Sequence, residues 1–175
     1  MCEDKAHPDG FNELVKKLRS NDDHFFEQIK RLSEDELIRE IHTALPDGTL
    51  TAERLALRLN ELGKKLHDDQ KYDRAITSFK MALMLDPLLR DAYLGHAEAC
   101  IAKGFHTMAV EDYYTLIAKN DHDTTAYLRR GYTYLALAMY DEAEADFRKV
   151  LNLSLDDAER TQADDGLARI ARAQH

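Results

Sequence analysis

His96 and Cys100 stand four residues apart on one predicted helix, so an imidazole and a thiol share a face and could begin a zinc site. A closed site needs two further ligands, and none falls at suitable spacing. The pair is therefore expected to be buried and metal-free. His122 lies between Asp121 and Asp123 in a predicted turn and is expected in a solvated loop. The acidic pairs Asp22–Asp23, Asp68–Asp69 and Asp164–Asp165 read as solvated faces and helix ends. No phosphate loop, nucleophile elbow or HExxH motif is present. The expectation is a protein with no catalytic residue, no metal and no cofactor, whose function lies on a surface.

The elements that carry such a surface follow from composition. The chain has 175 residues, is 44% hydrophobic and 33% charged, and contains three prolines and seven glycines, which suits a mostly helical fold with a buried core. A net charge of -9 repels phosphates, so nucleic acid and anionic membranes are poor partners. No apolar run approaches bilayer length, and membrane insertion is not expected. The opening MCEDKAHPDG lacks a basic region followed by an apolar one, and the two cysteines, Cys2 and Cys100, are too few for a disulfide framework. A cytoplasmic protein with reduced thiols is expected.

The stretch YDRAITSFKMALMLDP begins at Tyr72, and similar stretches begin at His106 and Tyr140, each 34 residues on. Three consecutive blocks result: 56–89, 90–123 and 124–157. The eighth place holds Gly63, Ala97 and Gly131, the twentieth Ala75, Ala109 and Ala143, and the twenty-fourth Phe79, Tyr113 and Phe147. The fourth holds Leu59, Tyr93 and Tyr127. Small residues at places eight and twenty allow two helices to approach closely, and the aromatics fill the space beside that contact. One such pair cannot cover its own apolar face, so neighbours must stack. This pattern resembles the tetratricopeptide repeat (TPR) family across 56–157. The resemblance implies an all-α fold of three tandem helix hairpins in a right-handed superhelix. Place thirty-two is Pro87, then Asp121, then Leu155, so the helix-ending signal is weaker in blocks two and three.

The domain organisation expected is a disordered tail over 1–10, amphipathic helices over 11–50, the repeats over 51–157 and a capping helix over 158–175. Three apolar sets recur at helical spacing before the array: Phe11, Leu14, Val15 and Leu18; Phe25, Phe26, Ile29 and Leu32; Leu37, Ile38, Ile41 and Leu45. These faces either fold back on the first repeat or serve self-association as a homodimer. Thr51 is placed to cap the first long helix, 51–68. At the C-terminus Asp156, Asp157 and Glu159 precede Arg169 and Arg172, the charge order a helix dipole favours. Leu167, Ile170 and Ala171 form its apolar stripe, and Gly166 weakens it.

In this family the first helices line a concave groove through places two, five, six, nine, twelve and thirteen. The resemblance assigns Leu57, Asn60, Glu61, Lys64, His67 and Asp68 from block one. It assigns Asp91, Leu94, Gly95, Glu98, Ile101 and Ala102 from block two, and Thr125, Leu128, Arg129, Tyr132, Leu135 and Ala136 from block three. Chaperone-binding members hold a C-terminal carboxylate with Lys and Asn, then Asn, then Lys and Arg. Here those places hold Asn60, Lys64, Gly95, Thr125 and Arg129, and Arg129 alone agrees, which disfavours an Hsp70 or Hsp90 tail. The groove turns apolar along its length, which suits an extended peptide with spaced apolar anchors. Leu94 and Leu128 are equally placed to pack between first helices. The architecture as a whole is similar to the class II translocator chaperones of bacterial type III secretion. That resemblance implies a cytosolic chaperone for a secreted client; a scaffold or adaptor for a multiprotein complex is the alternative.

Overall fold

The computed structural model describes residues 52–174; the tail over 1–10, the helices expected over 11–50 and the Thr51 cap lie outside the described residues. Among the described residues there are seven helices and no strand. They are α1 (Ala52–Asp68), α2 (Tyr72–Leu85), α3 (Arg90–Ala102), α4 (His106–Lys119), α5 (Thr124–Ala136), α6 (Tyr140–Leu153) and α7 (Asp157–Ala173). The chain divides into two compact units between Leu89 and Arg90.

In the first unit α1 and α2 form a hairpin. Leu55, Leu59, Leu62 and Leu66 recur at helical spacing along α1 and are buried. Gly63 admits the ring of Phe79: a Cβ there would lie 2.7 Å from Phe79 Cε1. The small residue at place eight is thus required by the aromatic at place twenty-four.

In the second unit α3 packs on α4, α4 on α5, α5 on α6, and α7 on both α5 and α6. Tyr127, Leu128, Tyr134, Ala143, Phe147, Val150, Ala163 and Ile170 form its core. Phe147 lies between two glycines. A Cβ on Gly131 would come within 2.8 Å of the ring, and one on Gly166 would overlap it. Gly166 therefore lets α7 approach α6, an advantage that outweighs its low helix propensity. Leu167 packs beside this core, whereas Ala171 is exposed.

Two local devices recur at the period of 34. At place fifteen Gln70, Gly104 and Ala138 all have left-handed backbone, with φ of 61, 80 and 58°. The following N–H, of Lys71, Phe105 and Met139, donates to the carbonyls of Leu66, Cys100 and Tyr134 at 2.8, 2.8 and 2.9 Å. These bonds close the first helix of each hairpin in the manner of a Schellman turn. At place thirty-one Asp86, Asn120 and Ser154 are extended and cap the second helices. Their side chains accept from the N–H two residues on, at 2.9, 3.2 and 3.1 Å. The second helices end at Leu85, Lys119 and Leu153 whether or not a proline follows, because a short polar side chain ends each one.

Candidate functional site

The residues assigned to a peptide-binding face fall in both units. In the first, Asn60 is buried at 4% exposure with its Oδ1 unpaired, while Glu61 and Lys64 are exposed. In the second, Leu94, Glu98 and Ile101 recur at three- and four-residue spacing on α3 and are each partly exposed, with Gly95 buried beside them. On α5, Arg129 is exposed and Tyr132 and Leu135 are partly exposed. Leu128 is only 5% exposed and packs in the core of this unit.

Glu98 and Arg129 bring α3 and α5 together through an ion pair between Glu98 Oε1 and an Arg129 terminal nitrogen. Near them is Tyr113, fully buried. Burial pushes the Tyr113 phenol up; Arg129 draws it down and Glu98 pushes it up again. Tyr132 is drawn toward α7: its hydroxyl donates to the Gln162 carbonyl at 2.6 Å, its ring meets Phe147 edge-on at 5.0 Å, and Arg169 lies 5.7 Å from its centroid. Thr125 of α5 donates to Glu159 of α7 at 3.3 Å. The far end of this face is thus partly covered by α7.

His96 and Cys100 are buried, with Cys100 Sγ 3.8 Å from His96 Nδ1. The sequence reading missed the third member, Asp112, whose Oδ2 is 2.6 Å from His96 Nδ1. Burial opposes the imidazolium, but the hydrogen bond to Asp112 and the contact with Cys100 outweigh it and push His96 up to about 9. Burial also pushes the Asp112 carboxyl above its ordinary range. Among the described residues no group of three such side chains is placed to hold a metal ion.

The same two places of the next repeat hold Arg130 and Asp146. Arg130 donates from Nε and a terminal nitrogen to both Asp146 oxygens at 2.8 Å. Its guanidinium lies 4.6, 5.5 and 5.7 Å from the ring centroids of Tyr114, Tyr127 and Tyr134. His122 is exposed and pairs with Asp121, as a solvated loop predicts. Asp123 departs from that expectation. It is buried, accepts from Arg90 at 2.7 and 2.8 Å, and caps α5 through the Ala126 N–H. Burial would raise its carboxyl, and Arg90 together with the Ala126 N–H outweighs that and lowers it. A short acidic residue immediately before a helix was the available signal.

A family model described as Tetratricopeptide repeat matches residues 124–157. A solved structure, the first TPR of Spaghetti (RPAP3) bound to the HSP90 peptide SRMEEVD, is 31% identical at a TM-score of 0.64, covering 73% of this chain and 98% of that one. The chain belongs to the tetratricopeptide repeat family. The DnaJ homolog subfamily C member 3 of Mus musculus is 35% identical to this TPR chain over 109 residues, 62% of the chain and 22% of that protein. The chain thus spans about a fifth of the length of the curated relatives it matches. The Yersinia enterocolitica type III secretion chaperone SycD, in complex with a peptide of the translocator YopD, shares the fold at a TM-score of 0.62 and 19% identity, covering 67% of this chain and 93% of that one. No described helix is long and apolar enough to cross a membrane.

Proposed function

We propose that this TPR chain is a non-enzymatic protein-binding module that takes an extended peptide against the side chains α3 and α5 present. The observation that carries the reading is the 31% identity over nearly the whole of a TPR domain seen with a peptide bound. The ligand chemistry comes from the residues. Leu94, Ile101 and Leu135 offer partly exposed apolar contacts, and Arg129 is neutralised by Glu98. An internal segment with spaced apolar anchors suits that face better than an acidic tail. An adaptor role is favoured by the sequence relatives, in which the matched region is part of a longer protein. The narrower reading, a cytoplasmic chaperone for a type III secretion translocator, has only a shared fold behind it.

Selection of random displayed peptides on the immobilised full chain tests this. Enriched peptides should carry two or more spaced apolar residues and need no free C-terminus. Leu94→Asp and Ile101→Asp should each lower their affinity about tenfold or more while leaving the thermal melt nearly in place. No enrichment, or binders indifferent to both substitutions, would overturn the reading.

A further inference from the structure

We propose that Glu98 is a built-in competitor for Arg129 that sets the charge preference of this face, holding off acidic peptides that Arg129 would otherwise accept. The inference deepens the peptide-binding reading and rests on it. Arg129 and Glu98 are 43% and 37% exposed, so a ligand can reach both. An exposed pair of this kind adds little to stability, so its removal is expected to leave the fold intact. It nevertheless decides what the guanidinium meets, because a guanidinium presents five donors in a fixed fork and a carboxylate is its best-matched acceptor. Glu98 supplies that carboxylate from within the chain.

Tyr113 is fully buried beside the pair, and both Arg129 and Glu98 act on its phenol. Asp112, Asp123 and Asp146 are also bound by cations within the fold but are only 12, 4 and 6% exposed, whereas Glu98 lies within a ligand's reach. The net charge of -9 adds a general repulsion of acidic ligands that a single freed arginine offsets locally.

The experiment measures fluorescence anisotropy of labelled SRMEEVD peptide with wild type, Glu98→Gln, Arg129→Gln and the double variant, all shown to fold by thermal melts. Wild type should bind weakly. Glu98→Gln should bind about three- to tenfold more tightly, more so at low salt, and the gain should vanish in the double variant. Equal affinity of wild type and Glu98→Gln overturns the inference, as does a gain that survives loss of Arg129. The parent reading fails separately, through displayed peptides that ignore Leu94→Asp and Ile101→Asp.

Discussion

The second and third hairpins solve one problem in two ways. At places seven and twenty-three, where the two helices of a hairpin face each other, the second has His96 and Asp112 and the third Arg130 and Asp146. The third pair is bidentate, ringed by three tyrosines and built on a cation that does not titrate in the accessible range. The second is a single bond to a group that can lose its proton. The first hairpin has Leu62 and Ser78 at these places, with the serine hydroxyl buried and unpaired. A repeat thus conserves the geometry of a slot while its chemistry varies, from apolar to switchable to permanent.

The contrast predicts graded losses. Asp146→Ala should cost about 3–5 kcal/mol, because it strands a buried guanidinium. Asp112→Ala should cost less, about 1–3 kcal/mol, because the imidazole can shed its charge. Urea unfolding of the two variants checks this, and equal losses would remove the distinction.

Next in size is the pH response. His96 is pushed up to about 9 from an ordinary 6.5, so the folded state holds its proton more tightly than the unfolded state does. The stabilisation is full below about 6.5 and fades as pH rises through 9. Titration of the His96 ring by NMR should give a midpoint near 9, and His96→Gln should flatten the loss of stability over that window. A midpoint near 6.5 or an unchanged slope would break the comparison. The smallest effect belongs to the first hairpin. Ser78→Ala removes an unpaired buried hydroxyl and should be neutral or stabilising by up to about 1 kcal/mol in thermal unfolding. A clear loss would mean that the hydroxyl has a partner in solution.

The hairpins were legible in the sequence because helix-on-helix packing demands small residues facing aromatics at a fixed period. Gly63 with Phe79, and Gly131 with Phe147, meet that demand directly. The ion pairs were not legible, since their members lie 16 residues apart on different helices and each reads alone as ordinary helix composition. Helix ends were sought in proline, whereas Asp86, Asn120 and Ser154 carry them. At the candidate face Leu128 and Arg129 are neighbours in sequence, yet one is core and the other surface. Lining and packing positions adjoin on a helix, and only the placement of α6 and α7 separates them.

The measurement that bears most directly on peptide binding is amide chemical-shift mapping of the full chain with a display-selected peptide. Shifts concentrated from Leu94 to Ile101 and from Arg129 to Leu135, with α4 and α6 little disturbed, are the predicted result. Shifts confined to α4 and α6, or none at saturating peptide, would contradict the assignment of function to this face.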